Sequence, residues 1–285
     1  MTMTMRVDSH QHFWKRSRGD YDWLTSDLEP IYRDYMPADL TSMLSQNDID
    51  KTILVQAAPT VEETLFLLDI AEKTPFVAGV VGWIDFEDET APQQLSKLKA
   101  NNYFKGVRPM IQDIEDPDWM LNPAFEKVFN ELIELDLTFD ALVLPQHLDN
   151  LHKLLEKYPK LKVVIDHGAK PNITKQEFSA WAANMARIAE ETSAYCKLSG
   201  LVTEAPKYSE MSLFQPYVDL LCNSFGHERL MWGSDWPVIN LSSTSYERWS
   251  AMSFSMLKRS GFTAQQIEHV MGANAAKFYQ LEGIK

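Results

Sequence analysis

The chain has 285 residues, 45% hydrophobic and 24% charged, the makeup of a water-soluble globular protein with a sizeable core. A formal charge of −13 without any Lys/Arg stripe argues against nucleic acid and anionic membrane surfaces as partners. No apolar run approaches the ~18 residues of a bilayer span, and the start, Met1-Thr2-Met3-Thr4-Met5, lacks the basic and apolar regions of a signal peptide. A cytoplasmic location is therefore expected, with Cys196 and Cys222 as buried, reduced thiols.

In chain order, the first strand carries Asp8-Ser9-His10-Gln11-His12. Side chains alternate along a strand, so His10 and His12 share a face, with Asp8 behind them. A long connection, residues 13–36, follows and holds Trp14, Tyr21, Trp23, Tyr32 and Tyr35. A loop of this length is either a lid over a binding site or a segment packed down by its aromatics. Pro37 opens a helix with Leu40, Met43 and Leu44 in register. Strand two is Thr52–Ala58, and the helix Val61–Lys73 follows, with Leu65, Leu68, Ile70 and Ala71 predicted on its buried side.

Strand three, Phe76–Asp85, precedes a helix near Gln93–Ala100, and strand four is Phe104–Met110. The helix Pro123–Leu135, strand five Leu137–Leu144, the helix Pro145–Tyr158 and strand six Leu161–Gly168 come next. Thr174 with Glu177 reads as the capping box of a further helix. Strand seven, Ala194–Gly200, the helix Pro216–Phe225 and strand eight, Leu230–Asp235, complete the alternation. The helix Glu247–Arg259, one capped by Thr263 and Gln266 and running to Val270, and a last one over Asn274–Leu281 close the chain. Eight β/α units, with strands that are solid apolar runs and no break in composition, predict a single (β/α)8 TIM-type barrel over residues 1–285. A doubly wound sheet would want a glycine-rich G-x-G-x-x-G turn, and the chain has none.

In such a barrel, chemistry sits at the C-terminal ends of the strands. Polar residues there are His10 and His12 on strand one, Gln56 on two, Trp83 and Asp85 on three, Arg108 on four, His167 on six and Asp235 on eight. The other four of the seven histidines, His147, His152, His227 and His269, fall on helices or loops and are expected in solvent. Arg108 could be a structural ion pair instead, and Asp235 a helix cap. Gln56 and Trp83 either line a pocket or seal the barrel mouth. Lys170-Pro171 orders the loop after strand six or touches substrate. Asp166 alternates to the face opposite His167 and reads as structural.

Four segments, D-x-H-x-H-F-W, G-V-R, I-D-H-x-x-K-P and G-S-D-W-P, stand in order and at barrel spacing. Together they resemble the amidohydrolase superfamily, most closely its sugar-lactonase branch. The resemblance implies a hydrolase opening a lactone, with Asp235 as general base, His167 at the carbonyl or attacking water, Arg108 facing the substrate, and His10 and His12 as the first-strand pair. It also implies one divalent metal, such as zinc, on His10, His12 and Asp235, or a metal-free site. Departures are plain: no lysine ends strand four, strand five has no histidine, and Pro109 follows Arg108. A bridged two-metal centre on a carbamylated lysine is therefore not supported.

Ester hydrolysis builds negative charge on the carbonyl oxygen and needs water deprotonated; fixed donors such as Arg108 and His167 serve the first need and Asp235 the second. The leading reading is a sugar-acid lactonase, with Gln56, Trp83, Trp14 and Lys170 as candidate substrate contacts. Hydrolysis of a carboxylated ring such as a pyrone or muconolactone would want several arginines, and only Arg16 and Arg18 could join Arg108. A metal-dependent decarboxylase would want the missing strand-five histidine. A non-catalytic binding barrel would not need the clustered His, Asp and Arg. Assembly into a homo-oligomer is left open.

Overall fold

The computed structural model describes residues 5–281. Eight strands, β1 (Val7–Gln11), β2 (Lys51–Val55), β3 (Val77–Gly82), β4 (Phe104–Val107), β5 (Thr138–Ala141), β6 (Lys162–Ile165), β7 (Tyr195–Leu198) and β8 (Leu230–Trp232), lie in sequence order in one parallel sheet. At the end of β1 and just past β8, a parallel bridge between Gln11 and Trp236 joins the last strand to the first. There the His12 amide donates to the Trp236 carbonyl at 2.7 Å and the Asp235 amide to the His10 carbonyl at 2.8 Å. The result is the (β/α)8 barrel that the alternation of apolar runs and amphipathic segments predicts.

The outer layer consists of α1 (Pro37–Gln46), α2 (Val61–Lys73), α3 (Ala91–Lys99), α4 (Glu126–Glu134), α5 (Leu148–Lys157), α6 (Ser179–Glu191), α7 (Met211–Phe225) and α8 (Tyr246–Arg259). Two short helices, α9 (Ala264–Glu268) and α10 (Asn274–Phe278), flank a π turn at His269–Ala273. The Thr263/Gln266 capping box opens α9 as expected. Inside the barrel, Val7, Ile53, Val55, Val81, Val164 and Met231 form an apolar floor, closed from below by Phe278, Tyr279 and Leu281. Above that floor the interior turns polar, which is where the strand-tip residues stand.

Several local expectations are corrected. On α2 the buried stripe is Thr64, Leu67, Leu68 and Ala71, spaced i, i+3, i+4, i+7; Leu65 lies one helical step off it and is 55% exposed. Thr174 caps no helix, because Gln176 takes a left-handed φ of 56° that a helix cannot run through, and α6 starts only at Ser179. The Thr174 hydroxyl donates instead to the Glu204 carbonyl at 3.0 Å. His147 and His152 are buried: the His147 Nδ1 accepts the Leu144 amide at 3.1 Å, and the His152 Nε2 meets Glu191 Oε2 at 2.6 Å, tying α5 to α6. His227 and His269 are half-buried, packed against one another.

Candidate active site

Asp8 does not stand behind His10. The register against β2 slips between Asp8 and Gln11, so the alternation that puts all three residues on one face breaks there. Asp8 turns to α8, where its carboxylate accepts the Tyr246 hydroxyl at 2.9 Å, and it also takes the Ser234 amide at 2.9 Å and the His10 amide at 3.1 Å. It thereby ties β1 to the segment that carries Asp235. Burial pushes its carboxyl up to about 6 despite those bonds.

Asp235 follows β8 with a φ of 57°, a left-handed conformation that costs a non-glycine residue on the order of 1–3 kcal/mol and clusters at functional sites. The turn sets its Oδ1 at 3.4 Å from His12 Nε2, 3.8 Å from His10 Nε2 and 3.9 Å from His167 Nε2. Burial alone would raise the Asp235 pKa; the charges and hydrogen bond of His167, His12 and Lys170 outweigh it and hold the group below the usual carboxylate range.

The three imidazoles reach that carboxylate from two strands. His12 Nδ1 lies 2.8 Å from the Val55 carbonyl, which can only accept, so Nδ1 carries a proton and the neutral ring turns its Nε2 lone pair to Asp235. His167 also has a left-handed φ, 53°, and its Nδ1 is hydrogen-bonded with Ser199 Oγ at 2.8 Å. Gly200 makes room for this ring: a Cβ there would sit 2.6 Å from His167 Nδ1, and the glycine itself has a φ of 64°. Burial, ahead of every other cause, lowers the pKa of His12 and holds His10 and His167 well below the ordinary imidazole range.

Arg108 ends β4 and is clamped by Gln56. Its Nε and Nη2 donate to Gln56 Oε1 at 3.1 and 2.7 Å, and Nη2 donates also to the Gln56 carbonyl. Its Nη1 is left 3.4 Å from His10 Nε2 and 3.7 Å from Asp166 Oδ2. Gln56 is thus fully buried behind Arg108 and orients it.

A cavity of ≈220 Å³ opens over these groups. His12, Arg108, His167, Lys170 and Asp235 line it, together with Trp23, Leu28, Gln112 and Asp113. Trp23 and Leu28 come from the long loop, which is packed down by buried Phe13, Trp14, Tyr21 and Tyr35. Trp14 itself lies outside the cavity, its indole donating to the Arg33 carbonyl at 2.7 Å. Trp83 lines a neighbouring cavity of ≈340 Å³, which shares Trp23, Met110 and Asp113 with the first.

Some residues of this region escaped the sequence reading. Strict alternation puts Asp166 on the face opposite His167, yet its carboxylate lies inside the barrel, 3.0 Å from Lys197 Nζ and 3.5 Å from His10 Nδ1. The left-handed His167 that follows ends the alternation on which that assignment relied. Lys197 on β7 and Asp140 on β5, both with no exposure, form an ion pair at 2.6 Å directly beneath His10. Their signal was a lone charge inside a four-residue apolar strand. Gln112 and Asp113 sit in a short 3-10 turn, Ile111–Asp113, past Arg108, with no motif to mark them.

Ligand atoms of His10, His12 and Asp235 all lie within 4.8 Å of one another, as do those of His10, Asp166 and His167, distances a divalent ion could span. Among the described residues, no helix is long and apolar enough to cross a membrane.

The fold is a (β/α)8 barrel with His, Asp and Arg side chains gathered at its strand ends, and comparison with known proteins gives its family. The family model described as Amidohydrolase matches residues 7–281, and the chain belongs to that family. It is 42% identical to an L-fucono-1,5-lactonase of Burkholderia ambifaria, over 98% of this chain and 97% of that one. An L-fucono-1,5-lactonase of Burkholderia multivorans is 32% identical over 97% of this chain and 96% of its own. A crystal structure of a Burkholderia multivorans amidohydrolase with bound zinc is similar with a TM-score of 0.91 at 30% identity, covering 97% of this chain and 99% of that one.

Proposed function

We propose that this chain hydrolyses a small, neutral sugar-acid lactone, with Asp235 as general base. The observation that carries the reading is the convergence of three imidazole Nε2 atoms on one Asp235 oxygen, at 3.4–3.9 Å, beside a clamped arginine. The two relatives that carry the name L-fucono-1,5-lactonase support it.

The cavity suits such a ring. Its ≈220 Å³ falls below the ~300 Å³ at which drug-sized pockets begin, which fits a single sugar ring. Its cations, Arg108 and Lys170, are matched by two carboxylates, Asp113 and Asp235. A dicarboxylated pyrone or muconolactone would find no surplus positive charge. Arg16 and Arg18 do not supply it: Arg16 stacks on Tyr32 and Arg18 pairs with Asp20 at 2.6 Å. Gln112, Asp113 and Lys170 are placed to hydrogen-bond hydroxyls, and Trp23 offers an apolar ring face.

In the mechanism, a water between Asp235 and the lactone carbonyl gives its proton to the carboxylate as its oxygen bonds to carbon. The His12 lone pair, 3.4 Å from Asp235 Oδ1, shares that proton. Arg108 Nη1 and the His10 ring donate to the carbonyl oxygen as it becomes an oxyanion. The tetrahedral intermediate then collapses, the ring C–O bond breaks, and the Asp235–His12 pair returns the proton to the departing ring oxygen. The product is a hydroxy-acid; its carboxyl gives the water's second proton to solvent, and the resulting carboxylate faces Arg108 and Lys170.

A catalytic zinc takes three protein lone pairs. His12 Nε2 and Asp235 offer two. The third would be His10 Nε2, which has the Arg108 guanidinium 3.4 Å away, a cation that opposes a second one beside it. The set His10, Asp166 and His167 has both Arg108 and Lys197 against its carboxylate. The donor types suit a divalent ion, the neighbouring cations count against it in both sets, and no step above runs through one.

The reading is tested with a panel of aldonolactones and carboxylated lactones, followed by a pH indicator and corrected for spontaneous opening. Turnover of the neutral rings is expected. Turnover of the carboxylated rings alone would overturn the substrate class, and turnover of neither would overturn lactone hydrolysis.

A further inference from the structure

The mechanism leaves one group of buried charges unused. Lys197 Nζ lies 2.6 Å from Asp140 Oδ2, 3.0 Å from Asp166 Oδ1 and 3.1 Å from His10 Nδ1, and none of these four residues has any exposure. Tyr279, rising from the barrel floor, donates its hydroxyl to the same Asp140 oxygen at 2.6 Å, and Thr138 donates to the other at 3.1 Å. Lys197 therefore stands between two carboxylates and is held as an ammonium. An ammonium has three N–H bonds and no lone pair. Toward His10 it can only donate, so His10 Nδ1 must accept.

We propose that Lys197 is a positioning residue that fixes His10 as the Nε2–H tautomer, so that His10 offers the cavity a proton donor instead of a metal-binding lone pair. A neutral imidazole carries one N–H, and with Nδ1 accepting, that proton is on Nε2. The consequence falls on Arg108. Its Nη1 N–H is aimed at His10 Nε2 at 3.4 Å, but a neutral ring accepts at one nitrogen only, and the shorter Lys197 contact at 3.1 Å takes that place, so Arg108 Nη1 has no acceptor on the ring. Arg108 lines the cavity and His10 lies fully buried just behind it, so both donors are free for one acceptor that reaches past the lining, and a lactone oxyanion is such an acceptor. The competing arrangement puts the His10 proton on Nδ1, toward Asp166 Oδ1 at 3.5 Å, and leaves Nε2 to accept from Arg108 or to bind a metal. Lys197, nearer at 3.1 Å, blocks it. The catalytic meaning of this tautomer rests on the lactonase reading; the tautomer itself does not.

The test begins with the unaltered protein, labelled with ring-¹⁵N histidine. Long-range ¹H–¹⁵N spectra, with His10 assigned through His10→Gln, are expected to give Nδ1 the shift of a bare nitrogen and Nε2 that of a protonated one. The reverse pattern would overturn the proposal. Lys197→Met keeps the length and removes the donors. It is expected to move the proton to Nδ1 and to lower kcat by on the order of 10²-fold, as for loss of an oxyanion donor, with KM little changed. Zinc affinity by calorimetry is expected to rise roughly 10–100-fold, the usual reach of groups behind a ligand. Unchanged zinc affinity in a folded variant with the proton moved would refute the metal-blocking half. Should Lys197→Met not fold, Lys197→Met/Asp140→Asn removes one stranded carboxylate and takes its place in all three measurements. A protein with the Nε2–H tautomer and no lactonase activity would sink the functional reading alone; an active lactonase with the Nδ1–H tautomer would sink this inference alone.

Discussion

Replacing Asp235 by asparagine removes one negative charge and nothing of the shape. The residue is 4% exposed and its carboxylate faces three imidazoles, so the variant keeps its packing, and an amide NH2 turned toward His12 meets the lone pair there at the present 3.4 Å. What is lost is the ability to take a proton. A positioned general base contributes about 10²–10⁴-fold, so kcat is expected to fall on the order of 10³-fold, about 4 kcal/mol of barrel-provided stabilisation at the transition state. KM is expected to change little, because the proposed contacts to the ring are made by Gln112, Asp113, Lys170 and Arg108, which line the cavity. The pH profile adds a second reading. In the proposed mechanism the proton acceptor is the Asp235–His12 pair, and both groups are held below their ordinary values, 3.8 for the carboxylate and 6.5 for the imidazole. The acid limb of kcat/KM should therefore fall below pH 6.5, and Asp235→Asn should alter it. The assay is stopped-flow lactone opening with a pH indicator, alongside a thermal melt to confirm the fold. A folded Asp235→Asn that keeps a tenth or more of wild-type kcat would refute the assignment of the base.

Gly200→Ala should be harmful although no contact is removed. The added Cβ meets the His167 ring at 2.6 Å, and alanine at a φ of 64° costs about 1–2 kcal/mol, so Tm should drop by a few degrees and kcat/KM by roughly 10–100-fold as the ring is displaced; wild-type kcat/KM would refute the fit argued for that glycine. Removal of metal by a strong chelator should leave kcat within about twofold, because none of the proposed steps uses a Lewis acid. A loss that added zinc restores would refute the metal-free mechanism. Glu63, buried and accepting the Ala57 and Ala58 amides, is pushed up to about 7 from 4.5, mainly by burial. A raised folded-state pKa means the folded protein holds the proton longer than the unfolded chain, so this group's contribution is present below pH 4.5 and is lost as pH rises through 7, by up to roughly 3 kcal/mol. The Tm of Glu63→Gln relative to wild type should thus improve from pH 5 to pH 8; a constant difference would refute it.

The barrel was legible because its strands are buried on both faces and its helices on one, so apolar runs and amphipathic segments alternate visibly along the chain. The tips were legible because polar residues that end such runs have no structural reason to be there. What could not be read is backbone that leaves the ideal period. The slip between Asp8 and Gln11 has no glycine or proline to announce it, and it sends Asp8 to Tyr246 while His10 turns inward. Left-handed His167 and Asp235 likewise end their strands early and aim side chains that alternation would misplace. Asp140 in Thr-Phe-Asp-Ala and Lys197 in Tyr-Cys-Lys-Leu were visible as letters but passed as interruptions of hydrophobic strands. Opposite charges in two such strands point toward a shared interior.

That interior also explains why the three meet. In a barrel of this kind, alternate strands fill common layers, and His10, Asp140 and Lys197 come from β1, β5 and β7, all odd. Stability is a weak reason for such a layer. A well-packed apolar layer is often as stable or more so, whereas removing one partner of a buried pair costs about 3–5 kcal/mol. The floor just below, built of Val7, Ile53, Val55 and Met231, shows that this chain packs hydrocarbon there readily. What hydrocarbon cannot do is point an N–H at the His10 ring. The ion layer gives that ring a defined proton position, and with it a defined direction in which the active site can donate.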